Sequence, residues 1–240
     1  ARLPANWKGK RPEAEPHAMH GLILDQVFDN VQLNADADAA RVTATLEAGN
    51  FRGHWVSQMR LEFEARLDHR AFEFSITATN VGNEPAPIGI GWHPYFEFPS
   101  KNRRQARLHI PARSRALVNN YDDVFPTGEV VPVTGTPYDF SRPEGAPLGE
   151  LFLDDCFLDL VRDEEGRVVA KVIDPEANYT LRIVGLSPQI KAFQVYAPVD
   201  KTFAAVEPQF NLADPFSPIW KGRDTGMVTL PPQQSVTYRV

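Results

Sequence analysis

Two period-two runs joined by a short polar turn constrain the fold more than any other feature of this sequence. Leu61, Phe63, Ala65 and Leu67 alternate with Glu62, Glu64, Arg66 and Asp68, and Phe72, Phe74, Ile76 and Ala78 alternate with Glu73, Ser75, Thr77 and Thr79. Successive side chains of a strand point to opposite faces, so the pattern predicts an antiparallel hairpin with one dry and one wet face. The same period marks strands at residues 42–48, 179–184 and 236–240, and further strands are expected at residues 168–173 and 190–196. No long amphipathic helix and no repeat of fixed period competes with them. The expected class is all-β, and 240 residues with 42% hydrophobic content can build one domain over residues 1–240.

A formal charge of -6, with scattered acids and no long basic run, argues against a nucleic-acid surface and for a small neutral or polar partner. The single cysteine, Cys156, cannot form an intrachain disulfide, so nothing requires an oxidising compartment and cytoplasmic is the default. No apolar run approaches the ~20 residues that span a bilayer, and the amino terminus carries no signal pattern, so no membrane partner is expected. The chain starts at Ala1 without a methionine, and residues upstream are expected to have been removed or left out.

Four placements carry chemistry. His93 lies in Gly89-Ile90-Gly91-Trp92-His93-Pro94-Tyr95-Phe96, where the glycines permit close backbone approach and Pro94 biases its neighbour toward extended geometry. An imidazole pKa near ~6.5 lets small environmental shifts decide whether it gives or takes a proton. His20 follows an irregular, proline-rich segment, Asp154 sits within the apolar run 151–157, and Glu207 ends another, just before Pro208. A carboxylate in an apolar run is costly unless it has partners or work. Taken singly, each has an ordinary structural reading. A zinc site from His17, His20 and His54 or His93 matches no known ligand spacing, so no metal is expected. No serine lies in a nucleophile elbow, and Cys156 is set in an apolar run. The cluster Lys101, Arg103, Arg104 and Arg107 reads first as a solvated loop.

His20-Gly21, Gly91-Trp92-His93-Pro94-Tyr95-Phe96, Leu153-Asp154-Asp155-Cys156-Phe157 and Val206-Glu207-Pro208, in that order and spacing, resemble the aldose 1-epimerase (mutarotase) family. Pro126-Thr127-Gly128 and Tyr138-Asp139-Phe140 are similar to its middle region, and the resemblance covers nearly the whole chain. It implies a galactose mutarotase-like β-supersandwich of mostly antiparallel strands whose open face binds one sugar. It further implies a catalytic core of Glu207, His93 and His20, with Asp154 and Arg2 contacting sugar hydroxyls and Asp155 as the less favoured register for that aspartate. Strands that precede the arginine in the family are absent here, and Leu22 replaces a second glycine after the first histidine.

Interconverting anomers means taking the proton from the anomeric hydroxyl and protonating the ring oxygen, so that the ring opens to an aldehyde. Glu207 as base and His93 as acid would serve this, with no cofactor. His20 would steady charge near the ring oxygen, while Asp154 and Arg2 hold hydroxyls. Three rivals remain open. A hexose 6-phosphate could use the 101–107 cations; a glycosidase could pair Glu207 with Asp154; and a non-catalytic carbohydrate-binding module could use Trp55, Trp92 and Trp220.

Overall fold

A computed structural model describes residues 20–24, 26–122 and 124–240. The strands run in chain order β1 (Asp29–Ala35), β2 (Ala39–Gly49), β3 (Met59–Asp68), β4 (Phe72–Asn80), β5 (Ala86–Ile88), β6 (Tyr95–Glu97), β7 (Arg107–His109), β8 (Ala112–Val118), β9 (Pro126–Pro132), β10 (Ala146–Pro147), β11 (Leu153–Leu160), β12 (Val168–Asp174), β13 (Tyr179–Gly185), β14 (Ala192–Ala197), β15 (Phe203–Gln209), β16 (Val228–Leu230) and β17 (Ser235–Arg239). Helical structure among the described residues is limited to a 3₁₀ turn at Pro218–Trp220. The class is all-β, with the named strand pairs antiparallel. Among the described residues, no helix is long and apolar enough to cross a membrane.

The chain divides into two compact units, Ala1–Pro87 with Thr229–Thr237, and Ile88–Val228 with Tyr238–Val240. The first is built on a five-stranded sheet of order β1-β2-β3-β4-β17. The predicted hairpin is its centre: Leu61 faces Ala78, Phe63 faces Ile76 and Ala65 faces Phe74. Phe63 meets Phe74 edge-on at 4.7 Å, and Leu61, Phe74, Ile76 and Ala78 are buried. The charged alternates stay on the wet face, where Arg41 pairs with Glu64. Buried Asn80 ends β4 by accepting from Ser57 Oγ and donating to the carbonyls of Glu84 and Leu230.

The second unit holds a six-stranded sheet, β6-β15-β14-β11-β8-β9, and a four-stranded sheet, β10-β7-β12-β13. One face of the larger sheet is dry at its centre: Leu153, Asp155, Phe157, Phe193, Val195, Ala197, Ala204 and Val206 are each at most 1% exposed. In β14 the buried Phe193, Val195 and Ala197 alternate with the half-buried Gln194 and Tyr196, which lie on the opposite face. The opposite face is covered only in part. Cys156, Leu158, Ala116 and Ala192 pack beneath Leu212 and Trp220, and the cover ends before Asp154, Gln194 and Glu207 are reached.

Several strands escape the periodicity signal. β8 alternates small residues with arginines, and β9 is flanked by Pro126 and Pro132, which an edge strand tolerates. The 101–107 segment is not simply a solvated loop. Arg103 is 6% exposed and donates to the carbonyls of Gly149, Leu151 and Ala197, while Arg107 enters β7 and donates to Gly145 O.

Candidate active site

His93 and Glu207, far apart in sequence, meet because the glycine-rich segment crosses the end of β15. Phe210 N donates to Ile90 O at 2.9 Å, Gly91 bridges Gln209, and Trp92 N reaches Pro208 O at 3.4 Å. A Cβ on Gly91 would lie 2.9 Å from Gln209 Cβ, and one on Gly89 would lie 2.0 Å from Asn211 Oδ1, so the crossing is tight at both places and at Gly91 meets the root of a side chain that cannot swing aside. Pro208 is held from its other side by the Tyr238 hydroxyl, which donates to its carbonyl at 2.6 Å. His93 Nδ1 thereby lies 3.3 Å from Glu207 Oε1, with 30% of the imidazole and 12% of the glutamate side chain exposed.

Register places the remaining groups. Asp154 faces Tyr196, Tyr196 faces Ala205, and Ala205 faces Tyr95, while Gln194 faces both Cys156 and Glu207. All lie on the partly open face. Gln194 Nε2 donates to Asp154 Oδ1 at 2.7 Å. Tyr95 stacks on the His93 ring at 5.0 Å between centroids and 14° between planes. Asp155 points the other way into the dry core. It accepts from Arg115 Nη1 and from the Tyr121 hydroxyl, and Arg115 lies 3.5 Å over the Tyr138 ring. Of the two aspartates, Asp154 is the one beside Glu207.

Burial drives the electrostatics. The Glu207 carboxyl is pushed up to about 8, first by desolvation and then by the charge of Asp154. Desolvation lowers the His93 imidazole below its ordinary value. Both effects favour the uncharged forms, so near neutrality the two groups hold one proton between them. Such a pair can present a proton donor and a proton acceptor to one ligand.

His20 lies in the first unit, exposed and with φ 62, followed by Gly21 at φ 75. Arg2 and His17 lie outside the described residues. Among the described residues, no three His, Cys, Asp or Glu side chains gather closely enough to hold a metal ion. Trp220 is a core residue, its indole N–H donating to the carbonyls of Ala213 and Asp214, so it is not a sugar platform. Gln194 and Tyr196 went unnoticed in the sequence; the signal was polar atoms within the otherwise apolar run 192–197.

The family model for aldose 1-epimerase matches residues 3–240. No curated protein sequence matches significantly. Among solved structures, a galactose mutarotase-like protein from Clostridium acetobutylicum is similar with a TM-score of 0.75 at 19% identity, over 92% of this chain and 67% of that one. A galactose mutarotase-like protein from Lactobacillus casei gives 0.68 at 19%, over 93% and 75%. A galactose 1-epimerase from Lactobacillus acidophilus gives 0.66 at 18%, over 89% and 65%. The chain thus spans about two thirds to three quarters of the length of these three structures.

Proposed function

Since the chain belongs to the aldose 1-epimerase family, we propose that it interconverts the α and β anomers of an unphosphorylated hexose by acid–base ring opening. The observation that carries this reading is the 3.3 Å approach of His93 Nδ1 to Glu207 Oε1 on the open sheet face. Glu207, as carboxylate, takes the anomeric hydroxyl proton, and His93, as imidazolium, gives its proton to the ring oxygen. The ring C–O bond breaks, the C1–C2 bond rotates, and the two transfers run backwards from the other face of the aldehyde. The reactive ion pair differs from the resting neutral pair only by movement of one proton from Glu207 to His93. A sugar hydroxyl donating to Glu207 favours the carboxylate and so promotes that shift.

Asp154, oriented by Gln194, accepts hydrogen bonds from further hydroxyls. His20 and Arg2 retain their proposed roles, steadying charge at the ring oxygen and holding a hydroxyl. We take residues 1–240 as one catalytic domain and the cytoplasm as its compartment. No cofactor enters the scheme. The 6-phosphate reading is less favoured, since the cations it would use are engaged: Lys101 with Glu97, Arg104 with Glu150, and Arg103 and Arg107 with carbonyls.

The test is polarimetry on freshly dissolved α-glucose and α-galactose. Glu207→Gln keeps shape and neutrality but cannot take a proton, so a fall of about 10²- to 10⁴-fold in rate is expected. An unchanged rate in a folded variant would sink the assignment. Free and 6-phosphorylated hexoses compared in the same assay separate the two substrate classes.

A further inference from the structure

The two segments that bring His93 and Glu207 together share one buried phenol. Tyr238 lies on β17, belongs to the second unit and is 0% exposed. Its hydroxyl donates to Pro208 O at 2.6 Å, and the Trp92 N–H points to the same hydroxyl oxygen. Trp92 precedes His93 and Pro208 follows Glu207, so one oxygen is tied to the residue next to each member of the pair. The direct link between those two neighbours is weaker, with Trp92 N 3.4 Å from Pro208 O. The Tyr238 ring is held as well: it packs against Phe210 at 5.5 Å between centroids, and Phe210 N donates to Ile90 O on the facing segment.

A buried hydroxyl that both donates and accepts leaves little freedom to either partner. Pro208 has no N–H to donate, so the peptide joining it to Glu207 lacks one ladder hydrogen bond, and the Tyr238 hydroxyl anchors the carbonyl on the proline's other side. A shift of either segment would change the 3.3 Å approach of His93 Nδ1 to Glu207 Oε1. Burial and the nearby charge of Glu207 raise the phenol well above its ordinary value, so Tyr238 stays neutral through the range in which the pair titrates. Its proton is held by a carbonyl and its ring is sealed from solvent, so it acts through its neighbours and not on a ligand.

We propose that Tyr238 is a positioning residue of the acid–base centre, its hydroxyl setting the separation of His93 and Glu207 by tying Trp92 to Pro208. The proposal rests on the acid–base reading above and adds to it a residue that touches neither reacting group. Asp154, Tyr95 and Cys156 also interact with the Glu207 charge, and Tyr238→Phe leaves all three in place.

Tyr238→Phe keeps the ring and removes only the hydroxyl. Wild type, Tyr238→Phe and Ile76→Val, a core change in the first unit, are compared in two measurements: polarimetry on α-glucose and α-galactose, and a nuclear magnetic resonance titration of the His93 imidazole, identified as the signal missing from His93→Asn. In Tyr238→Phe, kcat should fall about five- to twentyfold with KM within about twofold, and His93 should titrate about half a pH unit or more higher, toward a free imidazole, as its setting loosens and admits water. Ile76→Val should match wild type in both. A His93 titration in folded Tyr238→Phe equal to that of wild type overturns the proposal, as does an unchanged kcat or a fall in kcat that Ile76→Val reproduces. If wild type speeds the change of rotation for neither sugar, the acid–base reading fails, and the His93 titration alone still decides whether Tyr238 sets the pair. Should Tyr238→Phe not fold, Phe210→Leu takes its place, since it loosens the ring and keeps the hydroxyl: a His93 shift in the same direction supports the tie, and an unmoved titration overturns it.

Discussion

Glu207 and His93 are pushed toward their neutral forms by the same cause, desolvation at the edge of a covered sheet face, and this has consequences for both stability and rate. Glu207 titrates near 8 when folded but near 4.5 when unfolded, so between these limits the folded state holds the extra proton and stability falls as pH rises. His93, lowered when folded, acts in the opposite sense below about 6.5, where the unfolded state binds more protons and stability rises with pH. The two trends oppose one another up to about pH 6.5, leaving a net loss of up to roughly 2 kcal/mol between there and pH 8. Denaturant melts across this range should show that loss in wild type and a flat profile in Glu207→Gln. An equal slope in both would contradict a raised Glu207. The rate should follow the same proton. kcat/KM should fall above about pH 8, where the pair loses its one shared proton, and again on the acid side where it gains a second.

At the scale of elements, Gly91 governs the crossing that carries His93, and buried Arg103 ties three carbonyls together. Gly91→Ala would drive a methyl group into Gln209 at 2.9 Å and part the segment bearing His93 from β15. A stability loss of about 1–3 kcal/mol is expected, with a fall in kcat larger than a mere loss of stability would give, measured on protein shown to be folded by circular dichroism. Arg103→Ala would strip the carbonyls of Gly149, Leu151 and Ala197 of a charged donor and cost about 2–4 kcal/mol in denaturant melts. An effect under about 1 kcal/mol would show that the clamp is dispensable.

Much of this was legible in the sequence. The period-two runs of β3 and β4 located their sheet, and the residues around His93, Asp154 and Glu207 carried the family resemblance. What was not legible depends on tertiary neighbours. The sequence cannot say that Arg103 turns inward to cap three carbonyls, or that Gln194 donates to Asp154. Both facts follow from strand register and loop path, not from local pattern. β9 was hidden for a different reason, because its prolines read as turns and only its place at a sheet edge makes them compatible with a strand.

For the molecule as a whole, the two compact units raise the question of cooperativity. If residues 1–240 act as one domain, differential scanning calorimetry should give one transition whose calorimetric and van't Hoff enthalpies agree; two resolved transitions would divide it. The crossing of the Ile90–Trp92 segment over Pro208–Phe210 has a further consequence, for the time course of folding. A hairpin such as β3–β4 closes a short loop, whereas this crossing joins stretches separated by most of the second unit and must await the strands between them. During refolding from denaturant, the far-ultraviolet strand signal should therefore recover before the proposed anomer-interconverting activity does, and the lag between them would time the formation of this crossing.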